Sequence, residues 1–247
     1  MEAFQRLAEM EQRELLTRIV KRCTGKPKGP TPVVVFDLDG TLMDNRPRTT
    51  TILHELGESL RTREPKIAER LLAATPADLT YLLTDSLAKL GIIRTDIVRE
   101  AEIFWRERFF TDTYLRHDVE VPGAAKFACD CYEAGGILIY FTGRDLPLMG
   151  LGSFASLRDL GFPIGVPGTE LVLKPDANMP DEAFKRMSGP RLSRVGDVVA
   201  IFDNEPGNCN VLGESFPDAD VVLLDTQCLP GAPPLAPRVR VVGDFRR

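Results

Sequence analysis

Apolar positions along the chain follow two rhythms. In VVVFDLDGTLMD (residues 33–44), three valines and a phenylalanine run without interruption into two aspartates spaced two apart. An unbroken apolar run of this length predicts a strand buried on both faces, because a half-buried strand would alternate polar and apolar residues. ILIYFT (137–142), ELVL (170–173), VVAIFD (198–203) and DVVLLD (220–225) repeat the pattern. Between them the period lengthens to that of a helix, as in GAAKFACDCYEAGG, closed by Gly135, and in SFASLRDLG. Strands alternating with helices predict an α/β fold, a Rossmann-like doubly wound parallel sheet.

Residues 47 to 118 break this alternation with helical spacing and almost no β signal. In TPADLTYLLTDSLAKLG, Thr75 is placed to be an N-cap, with Pro76 and Asp78 at the first and third helical positions and Gly91 past the end. Thr95 similarly opens DIVREAEIFWRERFF. The expected organisation is an N-terminal helix and linker over 1–30, a core over 31–46 and 119–247, and an α-helical cap inserted over 47–118. The leading helix carries Phe4, Leu7, Leu15 and Ile19 at helical spacing, and GKPKGPTP follows as its linker. Near the other end, QCLPGAPPLAPRVRVVGDFRR is Pro-rich and then briefly β-like, and pattern alone assigns it no place.

Composition narrows the chemistry. With 247 residues, 43% of them hydrophobic, the chain can bury a sizeable core. Its net charge of −5 disfavours a nucleic-acid surface, whose affinity comes from clustered Lys and Arg. No stretch is apolar enough to span a bilayer, and the charged, amphipathic start is unlike a signal peptide, so a cytoplasmic location and no membrane partner are expected. Five scattered cysteines read as reduced, mostly buried thiols. With only His54 and His117 available, chemistry here would run on carboxylates.

In a doubly wound sheet, ligands bind beyond the carboxyl ends of the strands. Asp37 and Asp39, Thr142, Lys174 and Asp203 all fall there. Two neighbouring acids repel, so a cation is expected, and a hard ion such as Mg²⁺ suits oxygen ligands. The ordered set FDLDGT, FTGR, LVLKP, IFDNEPGN resembles the four motifs of the haloacid dehalogenase-like (HAD) superfamily of phosphohydrolases over about residues 33 to 225. The resemblance implies Asp37 as nucleophile, forming an aspartyl-phosphate. It implies Asp39 as general acid and base, a role that calls for a raised pKa. By position, Thr142 would hydrogen-bond the phosphoryl group and Lys174 would neutralise it, while Mg²⁺ would be held by Asp37, the backbone carbonyl of Asp39 and Asp203.

The fourth motif lacks the second aspartate of the usual pair, leaving Glu205 and Asn208 as further candidates. Arg144, in TGRD, fits a structural ion pair or a substrate contact equally. Arg46, Arg48, Arg106 and Arg108 read as a solvated face or as contacts to an anionic leaving group, and Phe104, Trp105, Phe109 and Phe110 as core. The expected activity is Mg²⁺-dependent hydrolysis of a small phosphorylated substrate. The alternatives are a phosphotransferase or mutase of the same superfamily and a non-catalytic protein that binds a phospholigand. The insertion, emerging just after Asp39, is expected to choose the substrate. Oligomeric state is not legible.

Overall fold

The structure, a computed structural model, describes residues 4–25 and 29–247. Residues 1–3, at the start of the leading segment, and 26–28, in its linker, lie outside the described residues. Six parallel strands form the main sheet: β1 (Pro32–Phe36), β4 (Ile137–Asp145), β5 (Thr169–Lys174), β6 (Asp197–Asp203), β7 (Asp220–Leu224) and β8 (Arg240–Val242). Their spatial order is β5-β4-β1-β6-β7-β8. The sheet and its flanking helices are the Rossmann-like architecture expected from the alternating pattern. β8 is the brief β-like run that pattern alone does not place; it pairs Leu223 with Val241 on β7.

Both faces of the sheet are covered, which is why its strands lack polar alternation. Val34 and Phe36 join one core with α1 (Glu9–Cys23), α6 (Ala124–Glu133) and α7 (Leu146–Asp159). Val33 and Val35 join the other with α8 (Asp181–Ser188) and α9 (Pro206–Ser215). The leading helix thus begins at Glu9, later than its apolar spacing suggests. It is tied to the last strand, since Leu7 N–H donates to the Val241 carbonyl at 2.9 Å and Gln12 Nε2 to Asp244 at 3.0 Å. Arg6 pairs with Asp225 at 2.6 Å.

After β1 the chain forms the short β2 (Met43–Asp44), which pairs antiparallel with β3 (Val119–Glu120). Between them lie α2 (Arg46–Leu60), α3 (Pro65–Leu72), α4 (Leu83–Lys89) and α5 (Thr95–Phe109). Leu53, Leu56, Leu71, Leu87 and Ile97 give these helices a core of their own. One expectation fails here: the capping signal at Thr75 does not open a long helix. Thr75 and Asp78 close a capping box around a single 3₁₀ turn, Pro76–Asp78. The chain then extends at Leu79, whose side chain is buried and whose carbonyl accepts from Gln227 Nε2 at 2.9 Å. A carbonyl committed to that loop is unavailable to a helix, which restarts only at Leu83. The aromatic group is a cluster, with Trp105 stacked on Phe109 at 4.4 Å, although Phe110 remains exposed. Among the described residues no helix is long and apolar enough to cross a membrane, and all five cysteines are free thiols.

Candidate functional site

The site is built on two adjacent strands. Phe36 and Phe202 are register partners on β1 and β6, and their rings stack at 5.1 Å. Each immediately precedes an aspartate, and Asp37 N–H continues the ladder by donating to the Phe202 carbonyl at 2.9 Å. An aromatic pair of this kind contributes about 1 kcal/mol beyond its buried area. Here it also fixes the relative height of Asp37 and Asp203 at the strand ends. Asp37 is 7% exposed and Asp203 1%.

Between these carboxylates lies a lysine that no sequence motif singles out. Lys185, on α8, places Nζ 2.7 Å from Asp37 Oδ1 and 2.5 Å from Asp203 Oδ2. Burial alone would push its ammonium down, but Asp203 and Asp37 outweigh that and hold it above the usual lysine range. For Asp37, burial dominates over the attraction of Lys185, and with repulsion from Asp203 it pushes the carboxyl up to about 7. Lys174, the expected neutralising cation, bonds instead to Asp181 at 2.7 Å and to the Met179 carbonyl at 2.9 Å. The loop after β5 folds back and consumes its charge, whereas the turn of α8 aims Lys185 inward beside the buried Phe184.

Asp39 departs from the expected raised pKa. Burial would raise it, but Arg144 and then Arg48 bring the carboxyl well below the usual range. Arg144 donates from Nε to Oδ2 at 2.7 Å and from Nη2 to Oδ1 at 2.9 Å. Arg48 Nη2 donates to Oδ1 at 2.7 Å, and Asn45 Nδ2 to the same oxygen at 3.3 Å. Arg48, for which the sequence suggests a solvated face or an anion contact, is fully buried. Of the two roles open to Arg144, the ion pair is the one it fills.

The remaining residues buttress this centre. Asp203 Oδ1 accepts from Glu205 N–H at 2.9 Å and from Asn208 Nδ2 at 3.1 Å, so Asn208 orients Asp203 through its amide nitrogen. Thr142 Oγ1 accepts from Arg144 N–H at 3.2 Å. Gly40 (φ +78°) lies so close to Asn204 that a Cβ there would sit 2.4 Å from its Nδ2, which leaves glycine the residue that fits. Glu205, two positions after Asp203, accepts from Leu229 N–H at 3.2 Å, and burial, its largest influence, lifts its carboxyl to about 7. Tyr81, from the helical insertion, lies near enough to Glu205 and Asp37 that their charges add to burial in pushing its phenol up.

The donor set is suited to a hard cation. Asp37 and Asp203 are close enough to share one ammonium, and they present only oxygen. Among the described residues no group of three or more His, Cys, Asp or Glu side chains is arranged to hold a metal. An ion here would therefore add the Asp39 backbone carbonyl and outside oxygens to two carboxylates.

No family model and no curated protein matches the chain. Among solved structures it is similar to a "Putative Phosphatase from Clostridium difficile", with a TM-score of 0.53, 17% identity, and coverage of 83% of this chain and 90% of that one. It is also similar to a "Putative haloacid dehalogenase-like hydrolase from Bacteroides fragilis", with a TM-score of 0.47, 15% identity, and coverage of 86% and 96%. The chain shares the fold of the first of these structures, and its four motifs lie on β1, β4, β5 and β6 in the order described.

Proposed function

We propose that the protein is a Mg²⁺-dependent phosphomonoester hydrolase that works through an aspartyl-phosphate on Asp37. The carrying observation is the buried Asp37–Lys185–Asp203 bridge at the ends of β1 and β6. In the first half-reaction an Asp37 carboxylate oxygen bonds to phosphorus while the bond to the leaving oxygen breaks, and that oxygen takes its proton from solvent water. Lys185 offsets the repulsion between the Asp37 carboxylate and the phosphoryl oxygens as they come together. In the second, water bonds to phosphorus, its proton passes to the Asp39 carboxylate, and the Asp37–phosphorus bond breaks. The arginines keep Asp39 ionised and fix its orientation, while making it a weaker base than a carboxylate of raised pKa. Mg²⁺, held by Asp37, Asp203 and the Asp39 carbonyl, would supply charge to offset the phosphoryl oxygens.

The small phosphorylated substrate would meet Tyr81 and Glu205. The test is a phosphate-release screen over a broad panel of phosphometabolites, with Asp37→Asn as the blank. Free phosphate from the wild type alone supports the reading. Phosphate found only on an acceptor hydroxyl would make the protein a phosphotransferase, and binding without either product would leave it a phospholigand-binding protein.

A further inference from the structure

Asp39 belongs to a four-member charge cluster whose other parts come from distant places in the chain. Arg48 lies in the first turn of α2, Asp118 just before β3, and Arg144 on β4. Asp118 Oδ1 accepts from Arg48 Nε at 2.8 Å, and its Oδ2 from Arg48 Nη2 at 2.6 Å and Arg144 Nη2 at 2.8 Å. Two guanidiniums thus alternate with two carboxylates in a closed, charge-balanced ring. The side chains of Arg48, Asp118 and Arg144 are at most 1% exposed, while that of Asp39 keeps 28% of its surface open. Arg48 is held further by the Phe109 carbonyl at 3.1 Å and by the Phe109 ring, 4.2 Å from its guanidinium carbon.

Burying such a ring is a poor route to stability, because well-packed apolar residues of similar volume usually do as well. It does fix direction. A guanidinium fork engaged by Asp118 on both nitrogens has one remaining orientation for its hydrogen bond to Asp39. The one member open to the site is the carboxylate whose direction matters for chemistry.

We infer that Arg48 and Asp118, one at each junction of the helical insertion with the core, are positioning residues that aim the Asp39 carboxylate, acting through Arg144 and directly. This rests on the reading of Asp37 as nucleophile and Asp39 as the base of the second half-reaction. The insertion therefore supplies part of the catalytic geometry. Misplacing a catalytic group by about 1 Å costs on the order of a hundredfold in rate.

The experiment uses p-nitrophenyl phosphate, whose nitrophenolate departs without a proton. Attack by Asp37 should then be insensitive to Asp39, and only the hydrolysis of the aspartyl-phosphate should suffer. Arg48→Met and the isosteric Asp118→Asn are expected to give a burst of about one equivalent of nitrophenolate. Steady turnover should then be slower by about a hundredfold, with KM for the first half-reaction little changed. Arg48→Lys should recover part of the turnover, and added guanidinium ion should restore some to Arg48→Ala. Folded Asp118→Asn and Arg48→Lys proteins with wild-type kcat and no burst, merely less stable, would overturn the inference even if Arg48→Met fails to fold. A wild type that releases neither nitrophenolate nor phosphate would overturn the proposed function itself, and this inference with it.

Discussion

Replacing Asp37 by asparagine should stabilise the metal-free protein, and by an amount that depends on pH. Lys185 is shared by two carboxylates, so the buried cluster carries one negative charge more than it balances. Burial raises Asp37 to about 7, against an ordinary value of 3.8. A carboxyl whose folded pKa lies above its unfolded one contributes stability that is complete below the unfolded value and is lost as pH rises through the folded one. Above pH 7 the folded protein must ionise Asp37 against its surroundings. At about 1.4 kcal/mol per pKa unit the cost is about 4 kcal/mol at pH 8 and about 1.5 kcal/mol at pH 5. The Asp37→Asn variant carries no such cost and keeps an amide oxygen for Lys185. Urea unfolding in EDTA, followed by circular dichroism, should show the variant ahead of the wild type by a margin that widens from pH 5 to pH 8. Saturating Mg²⁺ should narrow it by stabilising the wild type. A pH-independent difference, or a variant less stable at pH 8, would refute the account of Asp37 as a frustrated buried charge.

Other outcomes test the remaining parts of the site. Lys185→Met should lower phosphate release by about a thousandfold, whereas Lys174→Met should stay within about tenfold of wild type; the reverse order would return the neutralising role to Lys174. Activity should be lost in EDTA and regained with Mg²⁺, and calorimetric titration should show Asp203→Asn weakening Mg²⁺ binding more than Glu205→Gln does. Asn208→Ala, which frees Asp203 Oδ1 from one donor, should weaken Mg²⁺ binding by about tenfold without removing it.

The sheet is legible in the sequence because both of its faces are covered, which leaves uninterrupted apolar runs with polar groups only at their ends. That pattern locates Asp37, Asp39 and Asp203, which the structure brings together or sets side by side. It also points to Lys174, which follows β5 as directly as Asp203 ends β6, but a strand-end position does not say where a flexible side chain turns. Lys185 gives little signal: it lies inside a helix next to Phe184, and only the docking of that helix on the sheet makes it central. Arg48 and Asp118 are 70 positions apart and meet through tertiary structure alone. The capping signal at Thr75 marks a true cap, yet a cap fixes one turn and says nothing of how far the helix continues. β8, three residues long, is too short for periodicity to reveal.

The attachment of the leading helix to the last strand bears on how the molecule is assembled over time. Leu7 bonds to Val241 and Gln12 to Asp244, the latter across 232 positions. α1 covers apolar strands that precede β8, but its hydrogen bonds to the far end must wait until that end has been synthesised. During translation the helix therefore has hydrophobic partners before it has its polar clasp. The clasp and closure by β8 should then be late, mutually dependent events that follow the docking of α1, and local unfolding in the finished protein should release the clasp and β8 together.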